Sequence, residues 1–202
     1  MTIKRFLIAT VVVLSVPSAF AQTNDLRSPG YFNSISDSKK KSVALFEEMT
    51  KVITSPRCMN CHPVDDNPRQ GNDMHLHVPP MVRWNESDFG PPGLHCSSCH
   101  SIKDIKFSGT PGTIPGHDPW RLAPKTMGWI GLSHGEICAQ LKDPKRNGGR
   151  TLEDIIVHHA TDKLVGTAWH STDKSRPNAP GNQEIFAALT KAWVETGAVC
   201  PD

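Results

Sequence analysis

The chain has 202 residues, and its 22 Lys and Arg against 20 Asp and Glu leave a net charge of +2, too small to mark a nucleic-acid partner. Only 37% of the residues are hydrophobic, while 17 Pro and 15 Gly announce many turns, so aliphatic side chains alone give a thin interior. Six cysteines and ten histidines are what set the composition apart.

Lys4 and Arg5, the apolar run Phe6 to Val16 and the small residues of Pro17-Ser18-Ala19-Phe20-Ala21 predict an export signal over residues 1–21, cleaved after Ala21. That run is far shorter than the roughly 20 residues that span a bilayer. No later segment is apolar enough, so residues 22–202 are expected to form a periplasmic chain without a membrane span. About 180 residues remain, read as a single domain with a motif-bearing part over about 38–130 and a helical part over about 131–202. Gln22 to Asp37 is polar and reads as an irregular arm. From Ser38 to about Thr54, the residues Leu45, Phe46, Met49, Val52 and Ile53 recur at three- and four-residue spacing and predict an amphipathic helix. Glu47 and Glu48 fall largely off its stripe, and Ser55-Pro56 ends it.

Cys58-Met59-Asn60-Cys61-His62 follows at once, and the pattern returns as Cys96-Ser97-Ser98-Cys99-His100. C-x-x-C-H is the attachment signature of c-type haem: the cysteines add across the vinyl groups and the histidine becomes the proximal iron ligand. Two copies predict two covalently attached haem c groups, one on Cys58 and Cys61 with His62, the other on Cys96 and Cys99 with His100. Each Cys pair leads into a His and the other cysteines are isolated, which is not zinc-site spacing. The stretches 63–92 and 101–127 lack periodicity and are expected to be ordered loops that wrap the haems.

The last third is helical in pattern. Ser133-x-x-Glu136 and Thr151-x-x-Asp154 are capping boxes ahead of apolar runs, and Asn182 to Thr196 carries Ile185, Phe186, Leu189 and Trp193 on one face with Gly197 as its stop. Cys138 and Cys200 remain once four thioether positions are assigned, and in an oxidising compartment they are expected to form a disulfide, with buried free thiols as the alternative. No alternating strand pattern stands out. The fold class expected is mainly α with long irregular loops, dihaem cytochrome c-like, with the haems forming much of the core.

A second axial ligand decides what such an iron does: His gives a low-spin carrier, Met raises the potential, and an open position permits catalysis. The distal candidates are His75 and His77 in the loop between the motifs, serving one haem each or one iron and a propionate or surface partner. His158 follows, placed with Ile155 on the buried side of its helix, with His159 close behind, and then Met127. Arg57, Arg69, Arg83 and Arg121 are candidates for pairing with propionates. His95, His117, His134 and His170 read as surface residues.

The stretches Arg57 to Pro63, Pro68 to Gly71 and His75 to His77 resemble a family of small secreted bacterial dihaem cytochromes. So do Leu122 to Pro124 with Met127-x-Trp129, Gly135 to Cys138, Leu141 to Pro144 with Asn147 to Arg150, and Ala192 to Val194 with Gly197-Ala198 and Cys200-Pro201. Members are often labelled as associated with isoquinoline 1-oxidoreductase, a molybdenum hydroxylase. The resemblance runs from about Ala44 onward and implies haem binding and electron transfer, with Trp120-Arg121 standing where the family carries Trp-His. The function expected is electron carriage between a dehydrogenase, possibly of that molybdenum hydroxylase type, and a respiratory acceptor such as a membrane cytochrome. A fixed electron-transfer subunit of a larger oxidoreductase, or a small-molecule reductase or peroxidase at an open haem, are the alternatives. No nucleophile-and-base set argues for other chemistry.

Overall fold

Asp37 opens the first long helix by accepting the Lys40 N–H at 2.9 Å, and α1 then runs over Ser38–Ile53. The computed structural model describes residues 25–85, 87–109 and 112–202, and the expected export signal lies outside the described residues. Leu45, Phe46, Met49, Val52 and Ile53 are each no more than 1% exposed, so the apolar stripe read from the sequence is the buried face. Burying one such side chain stabilises by roughly 1.5–3 kcal/mol relative to leaving it in water. Glu48 differs from expectation: it is buried, its carboxylate accepting the Arg27 N–H at 2.8 Å and the Lys51 ammonium at 2.6 Å. The second donor comes from α1 itself and the first from the amino-terminal segment, which packs rather than trailing as an arm. Its Leu26 and Phe32 are buried, and its 3₁₀ turn Pro29–Ser34 lies against α1.

After α1 the chain breaks at Ser55, and a single turn, α2 (Pro56–Met59), carries the first half of the first motif. The next 74 or so residues are mostly loop, as the missing periodicity foretells. Two short antiparallel hairpins interrupt them, which the sequence reading did not anticipate: β1 (Arg69–Gln70) pairs with β2 (His75–Leu76), and β3 (Ile105–Lys106) with β4 (Thr113–Ile114). Strands of two residues are too short for alternation to show in a sequence.

Helices return where the capping boxes place them. Ser133 Oγ accepts from Glu136 N–H and the Glu136 carboxylate accepts from Ser133 N–H, opening α3 (His134–Lys142). Thr151 and Asp154 do the same for α4 (Leu152–Thr161). A short α5 (Lys163–Gly166) follows, and α6 (Gln183–Glu195), capped by Asn182, completes the set. Gly197, at φ +104°, lets the chain turn away after α6 where a side chain would be strained. α1 and α4 both pack on α6, with α3 alongside α1 and α4. Their interior is an ordinary side-chain core in which Trp193 is fully buried, its ring 5.2 Å from that of Phe46. The helical half therefore has a protein core of its own. Cys138 and Cys200 are disulfide-bonded across a Cα separation of 5.6 Å, joining α3 to the tail beyond α6. No helix among the described residues is long and apolar enough to cross a membrane.

Candidate cofactor site

Each C-x-x-C-H histidine is built into the same local frame. His62 Nδ1–H donates to the Met127 carbonyl at 2.7 Å, and its ring stacks on Trp129 with centroids 3.4 Å apart and planes 8° from parallel. His100 Nδ1–H donates to the Pro115 carbonyl at 2.7 Å, and its ring stacks on Trp120 at 4.2 Å and 1°. A hydrogen bond at Nδ1 fixes the tautomer and leaves the Nε2 lone pair free as a ligand.

The two acceptors share a further feature: a glycine follows each. A Cβ on Gly128 would lie 2.6 Å from the Pro63 carbonyl oxygen, and one on Gly116 would lie 2.1 Å from the Lys103 carbonyl carbon. The backbone each would strike, at Pro63 and Lys103, lies just past a motif histidine, so only glycine lets the supporting segment approach closely enough to deliver its carbonyl. Backbone bonds from Ala123 N–H to the Cys61 carbonyl and from Trp129 N–H to the His62 carbonyl hold the first support in place, at 3.0 and 2.8 Å.

Beside these rings lie the four unbonded thiols. Burial pushes Cys58 up to about 12 and Cys61 up to about 11, so both are neutral thiols near pH 7. Burial also depresses His62 to about 4 and lowers His100, which keeps both imidazoles neutral, the form that ligates a metal. A cavity of about 610 Å³ borders both motifs at once, with Cys61 on one wall and Cys96, Cys99 and His100 on another. Its size falls in the range of cofactor pockets, roughly 300–1,000 Å³.

No family model matches the chain, and no curated protein or solved structure matches it.

The distal candidates separate sharply. His77 lines the cavity, its Nδ1–H donating to the Pro79 carbonyl at 2.8 Å, and its ring centroid is 6.1 Å from that of His100. Two imidazoles bound to one metal at about 2 Å each from opposite sides put their centroids roughly 6 Å apart. His75 instead points outward, its Nδ1 held by Asp73 at 2.6 Å. His158 bonds through Nδ1 to Asp162 Oδ2 at 3.0 Å and is not among the residues that line the cavity.

The buried face of α4 is not where the sequence reading put it. Ile155 and His159 are buried, while the His158 side chain keeps 30% exposure, because the four-residue step from Ile155 follows the inward stripe more closely than the three-residue step. His159 packs against Phe186 and donates Nδ1–H to Thr190 Oγ1 at 2.9 Å, the Thr190 hydroxyl itself donating to the Phe186 carbonyl. The two neighbours therefore both have Nδ1 engaged, His159 by Thr190 and His158 by Asp162. Met127 supplies its carbonyl to His62 and buries its side chain in the core.

The arginines divide likewise. Arg83 is buried and paired with Asp66 and Asp88, and Arg69 is paired with Asp65. Arg57 and Arg176 both line the cavity; Arg57 has a buried Nε with no partner, while Arg176 lies 3.8 Å from the carboxylates of Asp104 and Asp173. An arginine with an unused donor at the wall of a cavity suits a ligand bearing acid groups. Arg176 escaped the sequence reading, since nothing local distinguishes it from any surface arginine. Among the described residues no three His, Cys, Asp or Glu side chains converge as a compact metal cluster. The cavity is large and mostly apolar, with an unpartnered arginine donor on its wall.

Proposed function

We propose that the chain is a periplasmic dihaem c-type cytochrome that carries electrons between a dehydrogenase and a respiratory acceptor. The observation that carries this reading is the repeated frame: two C-x-x-C-H histidines, each with Nδ1 tied to a backbone carbonyl, each stacked on an indole, each beside free thiols. Cys58 and Cys61 would hold one haem and Cys96 and Cys99 the other, and such groups supply one-electron transfer at their irons. His62 and His100 are the proximal ligands in this reading. His77, whose ring lies 6.1 Å from that of His100, is the distal ligand of that haem, and His158 is the distal ligand assigned to the other. Arg57 and Arg176 serve the propionates of the haem beside them.

The His77 ring facing His100 favours a carrier over a reductase at that motif, because it closes the position a substrate would need. The donor and acceptor are proteins, and the resemblance to cytochromes associated with molybdenum hydroxylases makes such a dehydrogenase the first donor to try. Intact-mass measurement of the exported protein tests the cofactor directly. The expected mass is that of the mature chain plus two haems, with Cys61→Ala and Cys99→Ala each losing one. A mature chain of bare polypeptide mass would refute the proposal. Near-infrared magnetic circular dichroism then reads the ligands: both haems should be bis-His, and a His/Met band would overturn the distal assignment.

A further inference from the structure

The carbonyl that orients each motif histidine belongs to a peptide group with an N–H at its other end, and what that N–H meets differs between the motifs. Behind His62 the group joins Met127 to Gly128, and its N–H donates to the neutral Lys125 carbonyl at 3.2 Å. Behind His100 it joins Pro115 to Gly116, and its N–H donates to the Asp104 carboxylate, at Oδ1, over 2.9 Å. A continuous chain of hydrogen bonds therefore runs from an anion through one peptide to the Nδ1–H of His100. The other oxygen of Asp104 accepts the Thr172 hydroxyl at 2.6 Å and faces Arg176 at 3.8 Å, which holds the carboxylate in place. Its side chain is only 21% exposed, so water and salt screen its charge incompletely.

Hydrogen bonds in a chain polarise one another. An N–H given to a carboxylate leaves more negative charge on the carbonyl oxygen of the same peptide, and that oxygen then draws the Nδ1 proton more strongly. The imidazole becomes a stronger, more anionic donor at Nε2. The ferric form of an iron carries one positive charge more than the ferrous form, so such a ligand favours the ferric form. Resting on the reading of His100 as a haem ligand, we propose that Asp104 is a positioning residue that, through the Pro115–Gly116 peptide, lowers the reduction potential of the second haem alone. One carboxylate thereby makes two otherwise similar histidine frames unequal, and it biases an electron held by the pair towards the first haem.

Asp104→Asn in the exported holoprotein tests this, because Asn still accepts the Gly116 N–H through Oδ1 while the anion is lost, and the Thr172 hydroxyl can turn to accept from its Nδ2. With two haems present by mass, spectroelectrochemical titration should show one midpoint raised and the other unchanged, with both haems still low-spin. In the reduced, diamagnetic protein the His100 Nδ1–H proton resonance should move upfield as its hydrogen bond weakens, and that of His62 should stay. One peptide stands between anion and ring, so the size expected is below the tenfold of a directly bonded outer-shell partner: about threefold in the ferric-to-ferrous ratio, or about 30 mV for one electron. Thr172→Val, at an exposed position, strips a donor from Asp104 and must move the same midpoint the other way, which keeps the test open if Asn at position 104 does not fold. Asp173→Asn is the control for charge alone: that carboxylate also lines the cavity beside Arg176, but it accepts the Thr113 N–H instead. It should leave the His100 proton in place. An unmoved midpoint and His100 proton in a fully loaded, low-spin Asp104→Asn variant overturn the proposal, and so do equal shifts in both haems or an equal shift from Asp173→Asn. The underlying reading fails differently, by a mature chain that carries no covalent haem.

Discussion

Replacing Cys138 and Cys200 together by Ala should lower the free energy of unfolding by about 4 kcal/mol. The bond closes a loop with a sequence separation of 62. In the chain-entropy description such a loop removes about 14 cal/mol/K from the unfolded ensemble, which gives that figure at 298 K. The folded tail does not depend on the bond. Val199 N–H donates to Ser42 Oγ at 2.9 Å, Trp193 Nε1–H donates to the Val199 carbonyl at 3.1 Å, and Lys142 Nζ reaches the Ala198 carbonyl at 2.7 Å. The double variant should therefore keep the wild-type circular dichroism, and the loss should come from a freer unfolded chain. In urea, with a slope of about 2 kcal/mol/M, the midpoint should fall by about 2 M, and the slope should rise because the released chain exposes more surface. A midpoint within about 0.5 M of wild type, with an unchanged slope, would refute the reasoning.

Ser133→Ala removes one half of the α3 capping box and should cost about 1 kcal/mol, read as a shift in the same urea transition. Gly116→Ala drives a methyl group into the Lys103 backbone, so a loss of about 1–3 kcal/mol is expected, with absorption changes confined to the second haem. His159 is held neutral in the fold, depressed to about 3 by burial, whereas it ionises in the unfolded chain near 6.5. The unfolded state thus binds the extra proton, and stability should be lost as pH falls from about 6.5 towards 3, at up to about 1.4 kcal/mol per pH unit. Urea midpoints measured across that window should fall less steeply in His159→Gln, and parallel curves would count against this account.

The parts of the molecule that repeat a local rule could be read in advance. The stripe of α1, the boxes that start α3 and α4, and the Gly197 stop of α6 all lie within one or two turns of the residues that signal them. The disulfide followed from subtraction among six cysteines. What failed to show was non-local or sat on a fine margin. Burial of Glu48 depends on an N–H from Arg27, and Arg176 reaches the cavity from a segment more than a hundred residues beyond Arg57. The choice between His158 and His159 turns on one residue of helical phase, about 100° of rotation, which the apolar pattern of a ten-residue helix does not resolve. His75 and His77 look alike in sequence, yet Asp73 takes one and the cavity wall the other.

The carbonyls of Met127 and Pro115 have a practical corollary for anyone mapping this protein by substitution. An acceptor that belongs to the peptide group survives exchange of the side chain attached to it, so a scan would miss the role of position 115 and would read position 127 only through its buried side chain. The intolerance tied to that role would surface one residue later, at Gly116 and Gly128, whose added Cβ would meet the backbone of Lys103 and Pro63. A map of sensitive positions would then point to two glycines with no chemistry of their own, and the atoms that orient the histidines would be found only by asking what those glycines allow to come close.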